Sequence, residues 1–556
     1  MRKLWTALIA MPAFSVALAT AAPAQPPVQI RVDLIKSEGP YKPITDWFGY
    51  DEANYTTMTY GRQLLGELHD LSPVPVYIRA HHLFTSGNGV PELKWSSTNI
   101  FTLDAEGKPI YDFTIIDRIF DAYKQAGMRP MVELGFMPKD LSRKPDPYQI
   151  HFPGSTIDGG VSEPPKDYAL WGTLVKTFVQ HLVERYGVEE TRRWYWEVWN
   201  EPDIPYWHGT AEDYFKLYDY AVAGVRAALP DAKVGGPATT GPGGKSGAVF
   251  LDAFLKHCAE DRSAADGNAV PLDFISFHAK GQPVLVDGHV RMGLARELAD
   301  VREGFRMIAA SKFAHLPIIL SEADPEGCAA CSAKMNPANA YRNGPLYAAY
   351  TAAALKELFA LQDRYRVDLM AMLSWSFEFE GRDYFEGFRS LATNGIDKPI
   401  LNLFRMTGMM AGERVGSSSS SALPLDDILS AGVHGAPDID VLATKADRQA
   451  ALLLWNYHDD DVAAAPSEVT VTVDGVPARR VRLAHYRIDE HHSNAYTLWK
   501  EMGSPQSPSA VQYAELKAAG GLQLLEAPRW VNVKAGRVRL SMSLPRQAVS
   551  LLQLSW

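Results

Sequence analysis

Between residues 44 and 410 the chain repeats one local pattern eight times: a short apolar run, a loop, then a longer stretch with helical spacing. The short runs fall at 44–50, 74–78, 129–134, 194–199, 233–235, 272–277, 316–320 and 368–374. The helical stretches fall at 60–70, 112–126, 168–186, 211–229, 250–260, 294–310, 345–361 and 399–410. In the second of these, Phe113, Ile116, Ile119, Phe120 and Tyr123 share one face, and Gly127 ends it. Strands that alternate with helices must run parallel, because each crossover returns the chain to the same edge. Eight such units predict an α/β fold with a (β/α)8 TIM barrel, whose chemistry sits at the carboxyl ends of the strands.

The fourth run is the most informative. Trp194-Tyr195-Trp196-Glu197-Val198-Trp199 has the aromatic and β-branched composition of a buried strand and stops at Asn200-Glu201-Pro202-Asp203. It therefore delivers an amide and a carboxylate to the barrel rim. Other strand ends bring His81 and His82, Glu133, His278, Ser321-Glu322 and Trp375 to the same rim. After the barrel, placed at 25–415, comes a polar break at 416–421 with consecutive serines, read as a flexible linker. From 422 to 556 the apolar period changes from helical to two, which predicts a C-terminal antiparallel β-sandwich. The early strand near Val28 is a candidate to join it.

Residues 1–24 have the pattern of a signal peptide: Arg2 and Lys3, an apolar run to about Ala19, and Ala22-Pro23-Ala24 as a small-residue cleavage site. A periplasmic or secreted protein is expected, with no membrane association once the leader is removed. Net charge is −10 and spread along the chain without a long basic run, which argues against nucleic acid and anionic membranes as partners. Of the three cysteines, Cys258 is read as a small buried apolar residue. Cys328 and Cys331 are expected to form a local disulfide, with free structural thiols as the alternative. No metal-binding motif stands out, and none of the chemistry below calls for a cofactor.

Two carboxyl groups facing each other across a barrel mouth are the equipment for glycoside hydrolysis. In the retaining version they stand roughly 5–5.5 Å apart on either side of the anomeric carbon. Glu201 is one candidate and Glu322, delivered by the run Leu316 to Ser321, is the other. One must carry its proton near neutrality while the other is ionised to attack.

Trp199-Asn200-Glu201-Pro202-Asp203 resembles the acid/base motif of clan A glycosidases. More narrowly, the chain is similar to glycoside hydrolase family 39, the β-xylosidases and α-L-iduronidases. The likeness runs through Ile78-Arg79-Ala80-His81, Val234-Gly235-Gly236-Pro237, Leu272 to His278 and Glu322-Ala323-Asp324-Pro325. It continues through Tyr486-Arg487-Ile488-Asp489 and Met502-Gly503-Ser504-Pro505. The resemblance implies Glu201 as acid/base, Glu322 as nucleophile, and Asn200 on the sugar's 2-hydroxyl. It also implies that His81 and His278 line the site of the cleaved sugar. Trp375 is read as a sugar platform, or else as a plug of the barrel.

Two departures bear on substrate. The family's xylosidases commonly have Gly where His82 stands and Tyr where Lys280 stands. His278-Ala279-Lys280-Gly281 looks like the iduronidase branch, in which the lysine holds a substrate carboxylate; Arg382 would be a second partner for it. The segment after Tyr486 resembles the xylosidase branch instead. The expectation is a β-D-xylosidase acting on oligosaccharide or polysaccharide-derived substrate, with an iduronidase-like enzyme removing a uronic acid or arabinose as the alternative. A non-catalytic carbohydrate-binding protein and an inverting hydrolase also remain open, and the sequence is silent on oligomeric state.

Overall fold

The computed structural model describes residues 26–50, 52–92, 96–146, 149–151, 158–160, 163–328 and 330–556. The leader at 1–24 lies outside them. The chain opens with Val28–Pro40 (β1), which belongs to a second sheet, and then lays down the barrel. Its strands are Trp47–Tyr50 (β2), Tyr77–Ala80 (β3), Arg129–Leu134 (β4), Tyr195–Val198 (β5), Lys233–Thr239 (β6), Phe274–Lys280 (β7), Pro317–Asp324 (β8), Asp368–Met372 (β9) and Ser374–Trp375 (β10). Every neighbouring pair is parallel. β9 and β10, either side of Leu373, are two halves of the eighth strand position: the first pairs with β8, and the second closes the ring on β2. The helices of the outer layer are Thr59–His69 (α1), Thr114–Gln125 (α2), Tyr168–Tyr186 (α3), Ala211–Ala228 (α4), Lys245–Glu260 (α5), Leu294–Ala309 (α6), Pro345–Tyr365 (α7) and Pro399–Gly408 (α8).

Alternation along each strand sorts the barrel interior into two storeys. Trp47, Met131, Tyr195, Phe274, Ile319 and Leu373 point inward at the amino-terminal end and fill it as an apolar plug. Two residues further on, the period-two repeat turns Arg79, Glu133 and Glu197 inward, while Ile78, Val132, Trp196 and Val198 join the apolar layer under the helices. The plug gives the polar storey a dry floor.

β7 and β8 run further than their apolar runs suggest, with His278 opposite Glu322 and Lys280 opposite Asp324 in register. The polar residues at the ends of these apolar runs continue the strands, because His278, Lys280 and Glu322 each find an ionisable partner at the mouth.

The C-terminal residues form one continuous sheet of nine with β1, rather than a purely antiparallel sandwich. Its further strands are Glu413–Ser419 (β11), Asp438–Ala446 (β12), Gln449–Tyr457 (β13), Ser467–Asp474 (β14), Arg480–Ile488 (β15), Gln523–Asn532 (β16), Val538–Leu544 (β17) and Val549–Ser555 (β18). The sheet is mixed because β1 runs parallel to β14; its other neighbours are antiparallel. Side chains from all these strands meet in one apolar cluster.

The serine run is a correction. Most of it is strand β11, paired with β1 from Ile30–Ser419 to Asp33–Gly416. Backbone pairing with β12 lapses after Arg414 and returns at the Ser421–Ile439 bridge. Between them the hydroxyls of Ser417 and Ser419 donate to the carbonyls of Val441 (3.2 Å) and Ile439 (2.5 Å). Serine, short and polar, replaces the missing ladder bonds.

The outer face of this sheet packs on α7, and Leu453, Trp455, Tyr457 and Leu551 belong to the same apolar cluster as the barrel helices. Cys328 and Cys331 are disulfide-bonded in the loop after β8, and Cys258 is buried in α5.

Ring closure brings β2 against β10 with no room to spare. A Cβ on Gly49 would lie 2.9 Å from Trp375 Cε3. Gly49→Ala is therefore expected to cost about 1–3 kcal/mol of unfolding free energy. Denaturant titration followed by tryptophan fluorescence checks this, and an unchanged midpoint would mean that the ring yields freely.

Candidate active site

The polar storey is organised by Arg79, which is wholly buried. Its Nε donates to Glu197 Oε2 (2.5 Å), Nη2 to Asn200 Oδ1 (2.9 Å) and Nη1 to Glu322 Oε1 (3.3 Å). Nη2 also lies 3.1 Å from Glu133 Oε2. Glu133 and Glu197 are cross-strand neighbours, so two buried carboxylates would face each other without this guanidinium. His81 Nε2 completes the set at 2.5 Å from Glu133 Oε2 and 3.7 Å from Glu322 Oε1. Burial works to raise the Glu133 carboxyl, but His81 and Arg79 outweigh it and leave the group lowered.

Glu201 reaches the mouth through a strained backbone. Trp199 (φ 72°) and Glu201 (φ 46°) both sit in the left-handed region, which costs a non-glycine residue of order 1–3 kcal/mol. The surroundings hold them there. Trp199 N–H donates to the Leu134 carbonyl (3.2 Å) and Glu201 N–H to the Ala238 carbonyl (2.8 Å). The Trp199 indole donates to the Tyr206 carbonyl (3.0 Å) and packs on Phe136 and Trp207. This twist, rather than continued extension of β5, swings Glu201 over the opening.

Glu201 Oε1 lies 2.8 Å from His278 Nδ1, and that ring nitrogen is 3.7 Å from Glu322 Oε2. One carboxylate oxygen of each glutamate and a ring nitrogen of His278 all fall within 4.8 Å of one another. Glu322 is further surrounded by cations. Lys280 Nζ is 2.7 Å from its Oε2, and Arg389 Nη2 is 3.7 Å away. Burial opposes ionisation of Glu322, yet His278, Lys280, Arg389 and Arg79 together prevail and hold it well below the usual carboxylate range. Donor atoms of His81, His82 and Glu133 also cluster closely enough to share a cation. The positive charge beside both groups is already supplied, by Arg79 and by Lys280.

Arg389, absent from the sequence reading, takes the place expected of Arg382. Arg382 is half-exposed, 3.7 Å from Glu386 and stacked over Phe388, and does not enter the site. Arg389 is buried, lies 3.5 Å from Asp324 Oδ2 and covers the Trp375 ring at 4.7 Å. Trp375 is only 2% exposed, with His81 at its edge, so its packing is that of a plug rather than an open platform.

A second buried arginine seats the first. Arg342 donates to the carbonyls of Cys328 (3.0 Å), Cys331 (2.9 Å) and Gly387 (3.2 Å) and pairs with the Glu326 carboxylate. Arg389 in turn donates to the Glu326 carbonyl. Lys398, pushed down to about 7 chiefly by burial, donates to the Phe388 carbonyl and the Ser390 hydroxyl on either side of Arg389. Two loops, one after β8 and one after β10, are thus stapled together over the end of β8 that carries Glu322.

Of the residues singled out in the sequence, Glu201, Glu322, Asn200, His81, His278 and Lys280 converge here. Arg79, Glu133, Glu197 and Arg389 were given no role there. The usable signal for the first three was a charge at an inward position of an otherwise apolar strand.

A family model described as "Glycosyl hydrolases family 39" matches residues 90–537. The β-xylosidase of Geobacillus stearothermophilus is 29% identical over 493 residues, 86% of either chain. The α-L-iduronidase of Mus musculus is 26% identical over 568 residues, 96% of this chain and 81% of the other. The crystal structure of a monomeric β-xylosidase from Caulobacter crescentus CB15 superposes with a TM-score of 0.75 at 23% identity, covering 95% of this chain and 99% of that one. That likeness establishes the barrel fold.

Two outcomes follow from the charge set. Arg79→Met strands three buried carboxylates and is expected to lower stability by about 3–5 kcal/mol in a denaturant titration. For Glu322 the folded value is depressed, so its contribution is full above the ordinary value of 4.5 and is lost as pH falls below it. Below that pH, wild type should lose about 1.4 kcal/mol more per unit than Glu322→Gln in unfolding experiments. Equal slopes would show that Glu322 is not ionised.

Proposed function

The chain belongs to glycosyl hydrolase family 39, and from that premise we propose a retaining, exo-acting β-D-xylosidase that releases xylose from non-reducing ends. It is a glycosidase, and its substrate is a carbohydrate. The observation that supports the retaining mechanism is that one oxygen of Glu201 and one of Glu322 lie within 4.8 Å of each other, both beside His278 Nδ1. A retaining pair stands roughly 5–5.5 Å apart and an inverting pair roughly 6.5–9.5 Å, so this close approach favours retention.

In the first step a Glu322 oxygen attacks the anomeric carbon. The glycosidic C–O bond breaks, and the Glu201 proton passes to the leaving oxygen. In the second, Glu201 takes a proton from water as the water oxygen attacks the same carbon and releases Glu322. The depressed Glu322 carboxyl suits the attacking role. His278 Nδ1 can accept from protonated Glu201 or donate to its carboxylate, which serves both steps. Arginine only donates, so Asn200 Oδ1 is committed to Arg79 and the amide nitrogen is left to donate to the sugar's 2-hydroxyl.

Xylose is favoured by the β-xylosidase relatives, at 29% and 28% identity. The uronide reading has one observation of its own: Lys280 and Arg389 bring two cations to one side of Glu322, suited to a substrate carboxylate. Action outside the cytoplasm is part of the proposal, supported by the Cys328–Cys331 disulfide, a bond that persists in oxidising compartments.

Nitrophenol release from β-D-xyloside, α-L-arabinosides and uronides tests the assignment, with product anomers followed by NMR. Xyloside should be the best substrate, with retained configuration, and Glu322→Ala should abolish turnover. Glu201→Ala should lower kcat/KM on xylobiose by about 10²–10⁴-fold. It should cost less on nitrophenyl xyloside, whose leaving group needs little protonation. An inverted product would overturn the mechanism. Cleavage of a uronide alone, abolished by Lys280→Ala, would replace xylose with the second reading.

A further inference from the structure

We propose that the end of the nine-stranded sheet formed by β15 and β16 is a docking surface for an acidic polysaccharide. Trp530 stands out there: it is 56% exposed, whereas the other described tryptophans are buried or nearly so. Its place in the register explains why. Inward neighbours Val481, Leu483, Leu552 and Leu554 belong to the sheet's apolar cluster, so the alternate positions face outward. On that face Trp530 lies opposite Arg482, Arg482 opposite Ser555, and Arg480 opposite Asn532. The Arg480 guanidinium stacks on the indole, 4.5 Å from its centroid.

Charge gathers at the same end although the chain carries net −10. Arg479, Arg480, Arg482, Lys534, Arg537 and Arg539 are all exposed around the β15 start and the β16–β17 turn. Arg537 is held by Asp474 at 2.5 Å. Among the described residues, no carboxylate lies within ion-pair distance of the other five.

An exposed indole offers a flat apolar face to the C–H face of a pyranose, and a guanidinium fork matches a carboxylate. Asn532 and Ser555 add neutral partners for hydroxyls on the same outward rows. The chemistry that fits all three is a sugar chain bearing uronate groups, not a neutral glycan. The choice of a xylan backbone for it rests on the function proposed above; the surface itself does not depend on the active site. Docking at this end would hold an anionic polymer to a protein whose net charge otherwise repels it.

Affinity electrophoresis and calorimetry with glucuronoxylan, neutral arabinoxylan and polygalacturonate test the proposal on the full chain. Glucuronoxylan and polygalacturonate should bind more tightly than arabinoxylan and weaken with salt. The double variant Arg480→Glu/Arg482→Glu should raise Kd about tenfold or more, and Trp530→Ala several-fold. Both variants should keep wild-type kcat/KM on the nitrophenyl glycoside. Binding of the two acidic polymers no better than arabinoxylan, or unchanged in the variants, would overturn it. So would equal binding of duplex DNA that Trp530→Ala leaves unaffected, since that marks a general anion surface. If polygalacturonate alone binds, the docking surface stands and the xylan reading falls; binding is measured without turnover, so an inactive enzyme would not obscure the result.

Discussion

One buried guanidinium sets the terms for the rest of the site. Arg79 rises from the second barrel strand and serves Glu133, Glu197, Glu322 and Asn200 at once. Ionised groups are costly to bury, and each of these carboxylates is tolerated only because the same cation and a few neighbours satisfy it. Glu133 and Glu197, adjacent on β4 and β5, would otherwise repel each other at the storey that also carries Asn200 and Glu322. The apolar plug below keeps water out, which strengthens every pairing above it.

Around that fixed charge set, two irregular loops are tied down by arginine. Arg342 grips the carbonyls of the disulfide loop and of the loop after β10, and Glu326 links it to Arg389. The fork of an arginine can hold several carbonyls at once where a lysine offers a point charge, which suits a staple between irregular loops. The consequence reaches Glu322, because Arg389 is one of the cations that hold its carboxyl below the usual range. The second sheet acts from further away. Its outer face extends the barrel's apolar layer and so braces α7, the helix that follows the staple.

Much of this was legible along the chain. Eight apolar runs named the eight strand positions, and Asn200-Glu201-Pro202 and Ser321-Glu322 marked the two carboxylates on the rim. Other features depended on partners distant in sequence. The serines of β11 resemble a linker because their strand character comes from β1 and β12 beside them, not from propensity. Arg382 and Arg389 are equally plausible in sequence; loop geometry alone decides which one enters the site. Trp375 is a plug because β2 brings Gly49 against its ring.

By itself, then, the sequence determined the alternation of strands and helices, the change to a period of two after the barrel, and the two glutamates at strand ends. These follow from local periodicity and from where an apolar run stops. The tertiary structure alone decided how close Glu201 comes to Glu322, which cations surround Glu322, and that Arg79 on β3 joins β4, β5 and β8. Separation and electrostatic neighbourhood depend on ring closure and on the left-handed twist at Trp199 and Glu201. Contacts made across the barrel hold that twist in place, and no local pattern of residues specifies them.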